Sequence, residues 1–106
     1  MNTYIRKDWA KNWVAKTEID IADSRRVTVT TRKGSNGLLN TFVSVGTLDN
    51  GMISHVMYQD FIQTYWSTNP KRITEKVVTT QHNDFLATVL DDVLVTIEKF
   101  YQKELA

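Results

Sequence analysis

The dipeptide Asn50-Gly51 stands between two apolar runs and is the strongest local structural signal in the chain. Asparagine and glycine both tolerate the positive φ angles of a two-residue β-turn, so this pair predicts a tight hairpin. The flanking strands are predicted over about 38–48 and 52–58. Because a tight hairpin joins antiparallel strands, we expect the chain to contain an antiparallel sheet.

Upstream of this hairpin, residues 18–32 alternate between apolar β-branched side chains and polar ones. Val27 and Val29 belong to one face of a strand with this period of two, and that face is expected to be buried. Asp23-Ser24 predicts a turn or bulge within the segment. The run Gly-Ser-Asn-Gly at 34–37 predicts a reverse turn before the next strand.

Two other segments show helical spacing. In residues 4–16, Ile5, Trp9 and Trp13 recur at every fourth position, which predicts a short amphipathic helix that docks on the sheet. From about 82 to 104, apolar residues recur at intervals of four and three, which predicts one long amphipathic helix. The apolar stripe of that helix consists of Leu86, Leu90, Val93, Ile97 and Phe100.

Residues 59–79 give a mixed signal. A strand and a short helix both fit 60–67, whereas the β-branched residues of 71–79 favour a strand. The fold class that follows is α+β, with a short N-terminal helix, an antiparallel sheet of three to five strands built from hairpins, and a long C-terminal helix on one face. With 106 residues, the chain is expected to form a single domain over 1–106.

The composition excludes several classes of protein. The chain contains no cysteine, which excludes disulfides, thiolate chemistry and zinc–cysteine sites. No apolar run approaches the roughly 18–20 residues that cross a bilayer, and the first residues lack the apolar core of a signal peptide. We therefore expect a cytoplasmic protein that does not act at a membrane. The net charge of +1 predicts no general attraction to polyanions.

No group of residues has the spacing of a catalytic or metal site. The histidines, His55 and His82, lie in different predicted elements, whereas a metal site needs three or four ligands. Asp91 and Asp92 are neighbours on a helix and point about 100° apart, so they cannot act together on one substrate atom. The serines lack the context of a nucleophile elbow, and no glycine-rich phosphate loop is present. The sequence therefore predicts neither catalytic residues nor a metal or cofactor.

Two pairs of adjacent cations stand at opposite ends of the strand predicted before the 34–37 turn. At ~3.3 Å per residue, the two pairs lie roughly 20 Å apart, which matches several nucleotides of a phosphate backbone. Aromatic rings such as Phe42 beside them would resemble the surface of a single-strand binder. The alternative is that these cations protect an exposed sheet edge from aggregation. The candidate binding residues are Arg25, Arg26, Arg32, Lys33, Tyr65 and Trp66.

Three functions are consistent with these observations. The first is a small non-enzymatic protein-binding module, an adaptor, regulator or inhibitor of the kind that mobile elements carry, whose tryptophans and tyrosines anchor a protein partner of unknown identity. The second is a single-stranded nucleic-acid-binding protein that uses the basic strand face. The third is a small enzyme with a site at a dimer interface that uses His55. The apolar stripe of the C-terminal helix either covers the core or also forms a homodimer interface.

Overall fold

The computed structural model describes residues 1–21, 25–34, 37–49, 52–65 and 73–105, with the backbone alone at 49, 52–65 and 100–105. These described residues form five strands followed by two helices. The strands are β1 (Asn2–Lys7), β2 (Trp13–Ile21), β3 (Arg25–Lys33), β4 (Leu39–Asp49) and β5 (Met52–Tyr65), and the helices are α1 (Glu75–Thr88) and α2 (Leu90–Leu105).

The five strands form one antiparallel sheet in the order β1-β2-β3-β4-β5, so each strand pairs with its neighbour in the sequence. The predicted α+β class with an antiparallel sheet is confirmed. Asp49 pairs with Met52, which places β4 and β5 in a hairpin, while the predicted Asn50-Gly51 turn itself lies outside the described residues. The predicted interruption at Asp23-Ser24 also lies outside them.

The predicted helix over 4–16 is wrong, because these residues form β1, a turn and the start of β2. The strand register pairs Ile5 with Ala15, which is two residues from Trp13 on β2, so Ile5 and Trp13 lie on the same face of the sheet. The chain reverses where the Asp8 carboxylate accepts the backbone N–H groups of Ala10 and Asn12 at 2.9 and 3.0 Å. This local bonding ends β1 and replaces the predicted helix.

The core lies between one face of the sheet and the two helices. Valines of β3 and β4 meet Phe85 of α1 and three apolar residues of α2 in the larger cluster. A smaller cluster at the other end joins Ala15, Leu39 and Val78. The residues of the larger cluster are Val27, Val29, Val43, Val45, Phe85, Leu90, Val93 and Ile97.

Two helices occupy the C-terminal part of the chain, and the single long helix predicted over 82–104 is not confirmed. The backbone at Val89, with φ −118°, separates α1 from α2. The predicted strand over 71–79 is wrong from residue 73 onward, because 73–74 form no strand and α1 begins at Glu75, while 71–72 lie outside the described residues. The Thr74 hydroxyl accepts the N–H of Val77 at 3.3 Å and caps the start of α1.

The predicted apolar stripe faces the core as far as the side chains are described. Leu90, Val93 and Ile97 are buried, and Leu86 is half-buried against the same cluster. The side chain of Phe100 lies outside the described residues. Of the helices in the described part of the chain, none is long and apolar enough to pass through a membrane.

Strand β5 continues to Tyr65, seven residues beyond the end predicted at about 58. Residues 60–65 therefore belong to a strand, and 66–67 lie outside the described residues. The register between β4 and β5 shifts at three places, between Val43 and Ser44, Val45 and Gly46, and Thr47 and Leu48. Such irregularities increase the local twist of the paired strands.

Candidate functional site

The helices pack on one face of the sheet, and we call the opposite face the open face. Side chains alternate along each strand, so the residues between Val27, Val29 and Thr31 of the buried face point to the open face. The strand register aligns the corresponding positions of β1, β2 and β4 beside them. The open face includes Tyr4, Arg6, Val14, Lys16, Glu18, Asp20, Arg26, Thr28, Arg32 and Phe42.

At one end of the open face the positive charge is neutralised. The Arg26 guanidinium donates to Asp20 Oδ1 at 2.8 Å and lies 3.2 Å from Glu18 Oε2. The Tyr4 hydroxyl donates to the other oxygen of Glu18 at 3.2 Å. The bond from Arg26 lowers the pKa of the Asp20 carboxyl and raises that of the guanidinium. Arg26 is thus held by carboxylates of its own sheet and is a poor candidate for a ligand contact.

The structure does not bring the two predicted cation pairs together on one surface. Arg25 and Arg26 are adjacent on β3 and therefore alternate between the two faces, and so do Arg32 and Lys33. Arg32 lies on the open face, with its guanidinium carbon 5.7 Å from the centre of the Phe42 ring. Among the predicted aromatic residues, the side chain of Tyr65 and all of Trp66 lie outside the described residues.

At the opposite end of the open face, beside the turn between β1 and β2, cations surround a cavity of about 350 Å³. We call it the hairpin cavity, after the hairpin that β1 and β2 form. The cations of the open face here are Arg6, Lys16 and Arg32, and none of them forms an ion pair with a described carboxylate side chain. The one acidic residue of the lining is Asp8, and its Oδ1 accepts two backbone N–H groups of the turn. The cavity is lined by Arg6, Lys7, Asp8, Trp9, Val14, Lys16 and Arg32.

Aromatic rings accompany these cations. Trp9 is 96% exposed in the turn between β1 and β2, which is unusual for the largest apolar side chain. The Arg6 guanidinium carbon lies 5.3 Å from the centre of the Tyr4 ring on the open face, whereas Lys7 Nζ lies 5.0 Å from the centre of the Trp13 ring on the helix side of the sheet. Cations held against aromatic faces in this way are partly ordered before any ligand binds.

Sequence reasoning missed the hairpin cavity because it placed Arg6, Lys7, Trp9 and Lys16 on a helix. One signal was present in the sequence, since Asp8 and Asn12 flank Trp9 and both residue types favour turns. Lys11 adopts φ 63°, a conformation that favours glycine and ends a three-residue hairpin loop. Recognising this loop would have placed Arg6 and Lys16 on neighbouring strands.

His82 lies inside the protein rather than in a site that a ligand can reach. It is 1% exposed, and its ring bridges two strands of the sheet. Nε2 lies 2.7 Å from the Thr17 hydroxyl and Nδ1 lies 2.8 Å from the Thr31 hydroxyl. One ring nitrogen donates and the other accepts, so a neutral imidazole satisfies both contacts.

This pair of contacts is part of a longer chain of polar side chains. Thr3 is hydrogen-bonded to Thr17 at 2.8 Å, and Thr41 to Thr31 at the same distance. The Gln81 amide donates to the Thr41 hydroxyl and to a backbone carbonyl of β4, each at 3.2 Å. The chain of bonds connects α1 with β1, β2, β3 and β4, so its role is structural.

The stability of the protein is expected to depend on pH through His82. Burial lowers the pKa of His82 from its ordinary value of 6.5 to about 4. Between these two pH values the unfolded chain binds more protons than the folded one. The contribution of neutral His82 to the free energy of unfolding is therefore fully present above pH 6.5 and is lost as the pH falls toward 4. The loss from this group is at most about 3 kcal/mol. Urea unfolding at pH 7, 5.5 and 4.5 measures it.

A His82→Gln variant is the control for this prediction, because it keeps polar atoms without a group that titrates in this range. The difference in unfolding free energy between pH 7 and pH 4.5 should become smaller in the variant. An equal pH dependence in both proteins would show that other groups cause it.

The described residues contain no cluster of three or more histidine, aspartate or glutamate side chains that could hold a metal ion. His55 lies on β5, where it pairs with Thr47, and its side chain lies outside the described residues. Comparisons of the chain with protein-family models, with curated proteins and with solved structures find no match. The interpretation of the site therefore depends on its chemistry alone.

Proposed function

We propose that this protein binds single-stranded nucleic acid at the hairpin end of the open face. The observation that carries the proposal is the grouping of three open-face cations, Arg6, Lys16 and Arg32, and an exposed tryptophan around one cavity. Cations attract the phosphate backbone, while an aromatic ring stacks on any base. The net charge of +1 is compatible with this role, because the positive charge is concentrated at one end of the sheet.

The aromatic residues favour a single strand over a duplex. Trp9 is exposed, and Phe42 is half-buried beside Arg32. Bases inside a duplex are already stacked on each other, so only an unpaired base offers its face to such a ring. The turn supports this use of Trp9, because the bonds to Asp8 hold the loop backbone while the indole remains in solvent.

A protein-binding module, the function that the sequence predicted first, is the second candidate. An exposed tryptophan also anchors protein interfaces, and Trp9 would insert into a pocket of the partner. The three open-face cations favour a polyanion over an ordinary protein surface, so we rank this candidate second. A non-enzymatic role, a cytoplasmic location and a homodimer remain predictions under both candidates.

Reversing the charge of two cavity residues should abolish binding to a fluorescent dodecathymidylate. We expect Lys16→Glu/Arg32→Glu to weaken binding by about 100-fold at low salt, since two attractions become repulsions. The matched control is Lys76→Glu/Lys99→Glu, which makes the same change of net charge at exposed positions of the helices. Fluorescence anisotropy measures both affinities, and circular dichroism confirms that each variant is folded.

The same titration distinguishes the two candidate functions. Affinity of the unmodified protein should fall steeply with salt, and the slope against log salt concentration should decrease by about one for each phosphate contact removed. If dodecathymidylate does not bind at low salt, the nucleic-acid proposal is excluded. Equal weakening by the cavity and the helix variants would contradict the location of the site.

Trp9→Ala is expected to weaken binding of the same oligonucleotide by about tenfold, because stacking on one base contributes roughly 1–3 kcal/mol. Trp9→Phe keeps an aromatic face and should retain most of the affinity. Unfolding free energies should be unchanged in both variants, since Trp9 is exposed. Unchanged affinity of Trp9→Ala would show that bases do not stack at the turn.

A further inference from the structure

We infer that the hairpin cavity takes the end of a nucleic-acid strand, with a terminal phosphate monoester among its cations and the terminal base on Trp9. This inference depends on the proposed function and makes the ligand more specific. Three features support it, namely the charge of the cavity, its volume, and the carboxylates farther along the open face.

The charge around the cavity exceeds what one backbone phosphate requires. Arg6, Lys16 and Arg32 contribute three positive charges on the open face, and Asp8 contributes one negative charge, which leaves a net charge of about +2. A phosphodiester carries one negative charge, whereas a phosphate monoester carries about −1.5 to −2 at pH 7 and offers three acceptor oxygens. Bidentate arginine contacts suit such a group, and Arg6 and Arg32 both line the cavity.

The volume of the cavity limits how much of a strand it holds. At about 350 Å³ it lies at the lower end of the range of small-molecule sites, which suits a single nucleotide. Trp9 borders the cavity while 96% of its surface is exposed, so one base can stack on the indole while its phosphate meets the cations. A longer segment would have to continue over the open face.

The far end of the open face does not suit a continuing backbone. Glu18 and Asp20 lie there, and the side chain of Asp20 is 61% exposed. Their partner Arg26 supplies one positive charge against two negative ones, so this end carries net negative charge. Phosphates that extended along the sheet from the hairpin cavity would meet repulsion. The strand is therefore bound at its end and over a short length.

Hexathymidylates with a 5′-phosphate, a 3′-phosphate or only hydroxyl ends test this inference. We expect one of the two phosphorylated oligonucleotides to bind about tenfold more tightly than the hydroxyl form, as charge-assisted hydrogen bonds predict. Affinities of all three within about twofold of each other would overturn the inference and leave the proposed function intact. If none of the three binds, the proposed function itself fails.

Two further experiments locate the bound phosphate and identify whether it comes from a strand end or from a free nucleotide. Arg6→Gln should remove the preference for the phosphorylated end, while Lys76→Gln, on the helix side, should retain it. Thymidine monophosphate and inorganic phosphate serve as competitors against the labelled hexamer. If thymidine monophosphate displaces the labelled hexamer at concentrations as low as those of the unlabelled phosphorylated hexamer, the cavity binds free nucleotides. That result would overturn the assignment to a strand end. Weaker competition supports a strand end.

Discussion

Replacing Ile97 by aspartate is expected to unfold the domain. Ile97 is 1% exposed and packs with valines of β3 and β4 in the larger core cluster. An aspartate there would bury a charge among apolar side chains and remove their contacts, which costs about 4 kcal/mol or more. That loss approaches the whole stability of many domains of this size. Circular dichroism and urea unfolding should show little or no folded protein.

Val95→Asp is the matched control, because Val95 lies on the same helix and is 49% exposed. We expect this variant to remain folded with nearly unchanged stability. Light scattering adds a test of the predicted homodimer, since a single chain has a mass of 12.2 kDa. A folded monomeric Ile97→Asp variant derived from a dimeric parent would show that Ile97 serves an interface rather than the core.

His82→Ala is expected to produce the second large loss of stability. The substitution removes the ring that bridges the Thr17 and Thr31 hydroxyls, and each hydroxyl keeps only its bond to a neighbouring threonine. The cavity left by the ring and the two lost hydrogen bonds together cost about 2–4 kcal/mol. Equilibrium urea unfolding at pH 7 measures the change.

Asn83→Ala provides the comparison, since Asn83 follows His82 on α1 and is exposed. This variant should unfold at nearly the same urea concentration as the unmodified protein. Binding of dodecathymidylate gives a second readout, because His82 lies under the opposite face of the sheet from the hairpin cavity. A His82→Ala protein of full stability that failed to bind would contradict a purely structural role for this residue.

Local patterns predicted the strands well where the side chains alternate. The alternation of valines in β3 and β4 and the turn residues before Leu39 predicted these strands nearly to their ends. Predictions failed where one pattern fits two structures. Ile5, Trp9 and Trp13 recur at an even spacing that a strand and a helix share, and only the bonds to Asp8 distinguish them.

The prediction for the first part of α1 failed for a different reason. Its β-branched residues favoured a strand, yet Val78, His82 and Phe85 all become buried at helical spacing. A polar histidine at a core position interrupts the apolar pattern on which the prediction depends. The surrounding threonine hydroxyls make that position suitable, and they come from strands far away in the sequence.

The candidate binding residues were predicted without their partners. Basic residues beside aromatic ones on a strand face suggested nucleic-acid binding, and the structure places Arg32 against the Phe42 ring. Arg26 was assigned to the site as well, but the strand register places it opposite Asp20 and diagonal to Glu18. Whether a cation is available depends on such partners, which a single sequence does not reveal.

The amino-acid sequence by itself determined the α+β class, the antiparallel pairing and the burial of the alternating valines. These properties follow from backbone preferences and from the periodicity of neighbouring side chains, which act over a few residues. The tertiary structure alone decided which cations are paired, where His82 is buried and which residues surround the hairpin cavity. Each of these depends on contacts between segments that strand pairing brings together, and such contacts leave no periodic signal in the chain.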